Sequence, residues 1–373
     1  MKKLIPLILA ATMVIGLSAC GASENQTPEK VSVRTVTDVW EREVVIPNKV
    51  NSIVCLGSMA PRLAAYLGVT DMLAGVEDHD KSGFTVLRDY NAAHYDRLKE
   101  LPAVGAGGGS GQNNGYPEQI IGLMPDVIIA GFEAGAADEL QRQTGIPVVS
   151  VRCRDSGFID GNFAVALRVF AQVVDKTERC ESVLEFIEQC KSDLKGRTSD
   201  IPHSDRPSAY TGAVTFNGRH GFSGTYAGFG PFIAVNALNV ADGLSDEKIL
   251  PGSGFDIDLE QVLEWDPDFI FLDPGNLDLV NQQYSSNPEY FKALRAVREG
   301  RVYTMPSFNN CGQNVTYAII NAYHAGKVLY PERFEDIDLS EKAGSILEFM
   351  LGENILPAME SGGLYYGKIT IGG

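Results

Sequence analysis

The sequence has little positive charge and lacks the motifs of the common nucleotide-dependent and hydrolytic enzymes. Its 31 Lys and Arg residues are outnumbered by 48 Asp and Glu residues, which gives a formal charge of −17. Because no long Lys/Arg run interrupts this acidic balance, the chain would approach a phosphate backbone against its own field, and we expect no nucleic-acid partner. The motifs G-x-x-x-x-G-K-[ST], H-E-x-x-H and G-x-S-x-G are absent. We therefore expect neither an enzyme nor a bound cofactor.

Cysteine and histidine are also sparse. The cysteines that follow the N-terminal region are odd in number and have no C-x-x-C spacing, which argues against a disulfide framework or a zinc cluster. We interpret them as buried thiols: Cys55, Cys153, Cys180, Cys190 and Cys311. Among the five histidines, only His220 lies in a loop expected to border a ligand cleft, whereas a transition-metal site needs three or four converging ligands. Direct binding of a bare metal ion is therefore disfavoured.

The N-terminus has the pattern of an exported lipoprotein. Lys2 and Lys3 precede an apolar stretch at residues 4–17, which is short of the about 20 residues that span a bilayer. The quartet LSAC that follows resembles the bacterial lipobox, which implies cleavage before Cys20 and a lipid on its sulfur. Residues 1–19 are then a signal peptide and residues 20–30 a flexible tether. An ordinary secretory signal is the alternative. We expect a chain anchored on the outer side of the cytoplasmic membrane.

One unit of sequence occurs twice. Residues 116–132 (YPEQIIGLMPDVIIAGF) and 258–274 (DLEQVLEWDPDFIFLDP) share the pattern E-Q-[IV]-[IL]-x-x-x-P-D. In each copy an acid begins a short helix, Pro-Asp ends it, and an apolar run of strand length follows. The repetition predicts two similar lobes, although helix-Pro-Asp-strand is common enough to recur by chance.

Short apolar runs alternate with helical segments in both halves, which favours an α/β fold with mainly parallel sheets. We expect an N-terminal lobe at residues 31–156, a connecting helix and linker at 157–206, and a C-terminal lobe at 207–373. Apolar residues recur at helical spacing over residues 162–195, which predicts one helix about 50 Å long. A break near Asp175 would make it two helices.

Ligands of parallel α/β lobes usually lie beyond the carboxyl ends of the strands. This rule selects the candidate ligand-binding residues Ser58, Met59, Phe132, Arg154, Asn217, Arg219, His220, Tyr226, Asn276, Phe308 and Asn309. Arginines and amides outnumber carboxylates in these loops, which predicts a locally cationic cleft for a metal chelate or an oxoanion. His220 could coordinate an open position on a chelated metal or donate to an oxoanion.

Several segments resemble one known family. They are the hairpin TVTDVWEREVVIP at residues 35–47, the segment NSIVCLGSMAPRLAAYLGV at 51–69, the two repeated units, and the stretch GRVYTMPSFNNCGQNVTYAIINAYHAGKVLYPERF at 300–334. Together they resemble the iron-complex and cobalamin class of substrate-binding lipoproteins of ABC importers. Family hairpins commonly have Gly-Arg where this chain has Glu41-Arg42, which we expect to affect only the turn.

The resemblance implies a monomer with two α/β lobes joined by a long helix, a ligand between the lobes and little hinge closure. It also implies that Glu118 and Glu260, one in each repeated unit, dock onto an ABC permease with its ATPase. We expect a metal chelate, which is a ferric siderophore, haem or cobalamin; the alternative within the same fold is an oxoanion such as molybdate or tungstate, or a metal ion, although a bare ion is disfavoured. Two other classes are an anchored extracellular enzyme, using His220 with a carboxylate such as Asp273, and a surface adhesion module.

Overall fold

The computed structural model describes residues 32–108, 115–153, 158–244 and 254–373, and its first element is an antiparallel hairpin. Strand β1 (Val33–Thr37) pairs with β2 (Glu43–Pro47). Alternate side chains on these strands enter the core, as expected for a sheet with one covered face. The turn between them places Glu41 at φ 60°, in the left-handed region that glycine adopts most easily.

The first lobe is built on a parallel sheet with the strand order β4-β3-β5-β6. Its strands are β3 (Ile53–Leu56), β4 (Leu73–Gly75), β5 (Val127–Ala130) and β6 (Val148–Ser150). The central strands β3 and β5 are buried at every residue, which explains their continuous apolar runs. The helices of this lobe are α1 (Ala60–Tyr66), α2 (Asp78–Lys81), α3 (Asp89–Leu98), α4 (Pro117–Leu123) and α5 (Ala134–Thr144).

The prediction of one unbroken connecting helix is wrong. The segment forms two helices, α6 (Gly161–Val173) and α7 (Thr177–Thr198). Asp175 between them has φ 53°, and the backbone N–H of Lys176 donates to the carbonyl of Ala171, which closes the end of α6. Aspartate tolerates the left-handed conformation better than most residues. The helical spacing of apolar residues continues across this turn and favoured one helix, but the break lies at Asp175, where the sequence left two helices as the alternative.

The second lobe repeats the parallel sheet of the first, in the strand order β9-β7-β11-β12. Its strands are β7 (Ser208–Gly212), β8 (Gly224–Tyr226), β9 (Leu238–Asn239), β10 (Gly254–Asp256), β11 (Phe269–Leu272) and β12 (Val302–Thr304), with β8 and β10 forming a separate antiparallel pair. The helices that follow α7 are α8 (Gly230–Ala234), α9 (Leu259–Trp265), α10 (Leu277–Ser286), α11 (Pro288–Ala293), α12 (Arg295–Arg298), α13 (Val315–Leu329), α14 (Leu339–Leu351) and α15 (Leu356–Ser361).

The repeated unit has the same role in both lobes. Helices α4 and α9 each end at a left-handed residue, Met124 and Asp266, before the Pro-Asp pair. The aspartate then accepts hydrogen bonds at the start of the neighbouring strand: Asp126 from the Ser52 N–H at 3.0 Å, and Asp268 from the Ser208 N–H at 2.9 Å. The matching strand order and the matching aspartate hydrogen bonds confirm the predicted pair of similar α/β lobes.

A large hydrophobic cluster joins elements of both lobes, including buried residues of α1, α6, α7, α13 and α14. Smaller clusters lie around Val54 and Ile128 in the first sheet, and around Ile270 and Phe291 in the second lobe. Helix α14 packs against α1 and α3 of the first lobe. None of the helices in the described ranges combines the length and apolarity needed to cross a bilayer.

Candidate functional site

The loops after β3 and β5 pack tightly at the carboxyl end of the first sheet. Gly57 has φ 74°, and a Cβ there would lie 2.9 Å from the ring of Phe132. A Cβ on Gly131 would lie 2.2 Å from the carbonyl oxygen of Ser58, so these loops need glycine for their close approach. Ser58 is half-buried, whereas Met59 is buried and Phe132 is only 1% exposed. The Phe132 ring therefore lies beneath the loops and is not open to solvent.

The loops of the second lobe also converge. The buried Asn276 amide donates to the Ala213 carbonyl at 2.7 Å and to the Thr215 hydroxyl at 2.9 Å. The Tyr226 hydroxyl donates to the Thr215 carbonyl at 2.9 Å and accepts from the Asn309 amide at 3.3 Å. Burial raises the pKa of Tyr226 to about 12, so this hydroxyl stays protonated. The structure thus brings loops after three strands together, as the carboxyl-end rule predicts.

The cationic character expected of these loops is reduced at two described arginines, because each of them has an acidic partner. Arg219 pairs with Asp278 and also donates to the Asn276 amide oxygen at 2.8 Å. Arg152 pairs with Glu133 at 3.0 Å. Of the two carboxylates, Asp278 lies in the first turn of α10 and Glu133 lies in the loop just before α5. The loops hold amides, hydroxyls and neutralised ion pairs.

His220 has protein partners on both ring nitrogens. Its Nδ1 lies 3.0 Å from an Asp256 carboxylate oxygen, and its Nε2 lies 2.8 Å from the Phe216 carbonyl. The imidazole also stacks on the Phe216 ring, with centroids 3.6 Å apart. The carboxylate beside it is Asp256, so the suggested pairing with Asp273 is wrong. Neither nitrogen points to an open position for a chelated metal in this arrangement.

Arg62 joins the two lobes and was not selected from the sequence. Its side chain is 0% exposed and its Nε donates to Asp89 at 2.8 Å. The remaining guanidinium nitrogens donate to the carbonyls of Cys311 at 2.8 Å and Asn310 at 2.9 Å, and to the Asn314 side chain at 2.8 Å. A lone arginine within the otherwise apolar α1 was the available signal, since a buried guanidinium needs such partners.

The loop that carries Phe308 and Asn309 therefore lies against the first lobe. The Cys311 thiol is 3.2 Å from Nε2 of His79, at the carboxyl end of β4. Met59 fills the space beside Gly312, where a Cβ would lie 2.5 Å from its sulfur. Cys55, Cys180 and Cys190 are buried as predicted, whereas Cys153 and Cys311 are only half-buried. The cleft loops of the two lobes are in direct contact at this side.

A buried acid, Glu77, is bonded to the loop that follows β3. The Glu77 carboxyl accepts from the Gly57 N–H at 2.8 Å and is 4% exposed. Burial raises its pKa to about 7, and the nearby Asp80 adds to this, although the Gly57 hydrogen bond and Arg88 oppose it. Within the described ranges, no group of three or more His, Cys, Asp or Glu residues is arranged to hold a metal ion.

Of the remaining predicted residues, three are exposed and two lie outside the described residues. Glu118 and Glu260 are exposed in the first turns of α4 and α9. Glu118 borders an open surface depression of about 500 Å³ that Tyr116 and Gln143 also line. Asn217 is exposed, in a left-handed turn at φ 46°. Cys20 and Arg154 lie outside the residues that the structure describes.

Comparison with proteins of known sequence identifies one curated relative that covers most of the chain. The molybdate-binding protein MolA of Haemophilus influenzae is 26% identical over 330 residues, which are 83% of this chain and 88% of that protein. Residues 53–308 match the periplasmic binding protein family. That range begins with β3 and ends at Phe308, so it contains both sheets and most of the candidate loops.

Solved structures share the fold. A periplasmic solute binding protein from Veillonella parvula superposes with a TM-score of 0.68 at 19% identity, covering 89% of this chain and 97% of that one. An ABC transporter solute binding protein from Sulfurospirillum deleyianum gives 0.64 at 21% identity, with 88% and 98% covered. The molybdate complex of MolA also gives 0.64 at 21% identity, with 86% and 98% covered. With its two matched lobes, the chain belongs to the periplasmic binding protein family and is an extracytoplasmic solute-binding component of an ABC transporter.

Proposed function

We propose that this chain captures a small oxoanion of the molybdate and tungstate kind and delivers it to its ABC permease. The observation that carries the proposal is the direct contact between the cleft loops of the two lobes. Arg62 of α1 donates to the Asn310 carbonyl at 2.9 Å, and the Cys311 thiol lies 3.2 Å from His79. Loops held this close favour a compact solute over a macrocycle. The similarity to a molybdate-binding protein over 83% of the chain supports the same choice.

The loops can be suited to an oxoanion even without a surplus of positive charge, because neutral groups can also donate hydrogen bonds to an anion. Amide and hydroxyl groups converge where Asn276, Thr215 and Tyr226 meet. These three groups bond to one another and hold the loops in place, so the donors to an anion would be the more accessible Ser58, Asn217 and Asn309, with a net value of about 0.5–1.5 kcal/mol for each hydrogen bond. The candidate contacts are those selected from the sequence, with Ser58 and Met59 on the first lobe and Asn217, His220 and Asn309 on the second.

A metal chelate such as a ferric siderophore, haem or cobalamin is the second candidate. It is favoured by the pairing of Arg219 with Asp278 and of His220 with Asp256, which gives both of these candidate residues an acidic partner. A ligand whose charge is already masked by an organic shell needs no unopposed cation. The Ser223 hydroxyl beside this pair donates to Asp256 at 2.9 Å, and both ring nitrogens of His220 have other partners, so no hydroxyl is bonded to the imidazole and the enzyme alternative gains no support.

Isothermal calorimetry tests both candidates. Purified protein is titrated with molybdate, tungstate, a ferric siderophore, haem and cobalamin; we expect binding of the oxoanions and none of the chelates. Arg219→Ala should weaken binding about tenfold or more, because Arg219 holds Asn276 in place and a charged hydrogen bond contributes about 1.5–3 kcal/mol. Arg142→Ala, which removes an exposed pair with Glu139, is the matched control. Binding of a chelate alone would replace the first candidate with the second.

We also propose that Glu118 and Glu260 dock onto basic residues of the permease. Both are exposed in the first turns of equivalent helices of the repeated unit, which precede a sheet strand in sequence. Interface charges mainly set orientation and association rate. Changing both to Lys should lower transport while leaving calorimetric affinity unchanged, whereas Glu139→Lys should leave both unchanged. A large loss of ligand affinity in the double variant would contradict docking.

The lipid anchor and the lobe boundaries belong to the same proposal. Cys20, after the apolar leader, would carry the lipid and hold the protein on the outer face of the membrane. Cys20→Ala should then release the protein from the membrane fraction, and retention would contradict the anchor. Residues 31–156 and 207–373 would act as the two lobes of a monomer, with 157–206 between them; every strand of the two parallel sheets falls within these ranges.

A further inference from the structure

The N-terminal hairpin is fastened to the carboxyl end of the first sheet. Asp38, at its tip and 4% exposed, accepts from the Ser150 N–H at 3.1 Å, and the Val39 N–H donates to the Ser150 carbonyl at 3.4 Å. Arg42 donates to Asp38 at 2.8 Å and pairs with Asp138 of α5 at 2.9 Å. These ties fix the hairpin tip where β6 ends, although the hairpin lies outside the residues that match the family.

The same ties orient Trp40. Its backbone N–H donates to Asp38 at 2.9 Å, and its indole N–H donates to the Phe132 carbonyl at 2.9 Å. The Phe132 carbonyl also accepts from the Ser150 hydroxyl at 2.7 Å. The ring is thus held at two points, yet 41% of Trp40 is exposed. At the carboxyl end of β5, the exposed aromatic residue is Trp40, while Phe132 lies in the core.

We propose that the indole of Trp40 is part of the wall of the ligand site and contacts the captured solute. This inference rests on the proposed function, because it needs a solute at the carboxyl ends of the strands. A fixed aromatic ring excludes water from one side of a bound ion, which strengthens the hydrogen bonds made elsewhere. Its electropositive edge suits an anion, and its face suits the rings of a chelate.

The chain contains only two tryptophans, so fluorescence can isolate this contact. The other one, Trp265, ends α9 and packs against the second-lobe core. Molybdate, or whichever probe binds by calorimetry, should change tryptophan emission and shield it from a collisional quencher. The change should persist in Trp265→Phe and disappear in Trp40→Phe. An emission change that survives in Trp40→Phe would place the responding tryptophan elsewhere and overturn the inference.

Affinity provides the second measurement. Trp40→Ala should weaken binding of the same probe about tenfold, while Trp40→Phe, which keeps a ring, should lose less. Thermal unfolding of each variant shows whether the hairpin stays folded. Quencher shielding in Trp265→Phe leaves Trp40 unchanged, so it tests the contact even if a Trp40 variant misfolds. If Trp40→Ala binds the probe with unchanged affinity, and the emission of the wild-type protein does not respond to the bound probe, this inference is wrong while the proposed function stands. If none of the probes binds the wild-type protein, the proposed function fails and this inference fails with it.

Discussion

The two lobes share a framework and differ where their strands end. Both sheets have the same strand order, and in both an aspartate after Pro ties a short helix to the neighbouring strand. Beyond the strands, the first lobe buries charged groups, notably Arg62 with Asp89 and the acid Glu77. The second lobe buries one acid, Asp273, and surrounds it with amides and hydroxyls near Asn276 and Tyr226. A repeated framework can thus carry two different surfaces, because loops beyond the sheet are not constrained by strand pairing.

The largest expected effect comes from removing the charge that joins the lobes. Arg62→Met leaves Asp89 buried without its counter-ion, so the free energy of unfolding should fall by about 3–5 kcal/mol in urea denaturation. The exposed pair of Arg142 and Glu139 is the matched control, and Arg142→Met should cost less than about 1 kcal/mol. Equal losses would show that burial does not distinguish the pairs. Adding Asp89→Asn to Arg62→Met should recover part of the loss.

Glu77 should make the first lobe sensitive to pH. Its folded pKa of about 7 lies above the ordinary 4.5, so the folded state binds the proton more tightly and stability falls as pH rises from 4.5 to 7. The difference is about 3 kcal/mol at most. Glu77→Gln keeps an acceptor for Gly57 and should flatten this slope. An unchanged slope would assign it to other groups.

Asp273 gives the second-lobe counterpart of this test. Burial raises its pKa to about 6 from the ordinary 3.8, against hydrogen bonds from Gly275 and Thr215. Asp273 should therefore also lower the free energy of unfolding as pH rises, in the window between pH 3.8 and 6. Asp273→Asn should flatten only that lower window in urea denaturation followed across pH. Because the two windows overlap between pH 4.5 and 6, the variants differ at the ends: Asp273→Asn should keep the slope between pH 6 and 7, and Glu77→Gln should keep the slope between pH 3.8 and 4.5. The opposite pattern would contradict the assignment.

The two framework aspartates should differ in strength. Asp126→Ala and Asp268→Ala should each cost about 1–3 kcal/mol, since each leaves strand-start donors unpaired. Asp268 should cost more, because it also pairs with Arg295 at 2.8 Å. Burial opposes ionisation of Asp268, but bonds from Ser208 and the arginines Arg295 and Arg301 outweigh it and lower its pKa. Its contribution is therefore present above pH 3.8 and lost as pH falls further. Equal losses at pH 7 would contradict this ranking.

The smallest effect is a gain. Met124 and Asp266 end equivalent helices in left-handed conformations, at φ 50° and 38°. The left-handed conformation costs more free energy for methionine than for asparagine or aspartate. Met124→Asn should therefore stabilise the first lobe by about 0.5 kcal/mol. Met124→Ala, which keeps the steric penalty, is the control, and thermal unfolding measures both. If alanine stabilises as much as asparagine, the gain comes from removing a side chain that is 79% exposed.

Local patterns predicted the framework well because its rules are local. The repeated E-Q-x-x-x-x-x-P-D unit predicted paired helices and strands, since helix starts, Pro-Asp breaks and apolar runs act over a few residues. The continuous connecting helix was wrong because one left-handed residue, Asp175, interrupts a spacing that continues on both sides. The cationic character of the cleft was overestimated at Arg219 and His220, because the acids beside them, Asp278 and Asp256, lie dozens of residues away in sequence.

The sequence by itself determined the class of protein, its two parallel sheets and the edge of each sheet where ligand-binding loops would gather. Tertiary structure decided which side chains reach that edge. It placed Phe132 in the core and left Trp40, from a distant hairpin, exposed at the same point. It also gave Arg62 its partners in the second lobe. The reason is physical: strand pattern depends on neighbouring residues, whereas burial and charge pairing depend on groups that only folding brings together.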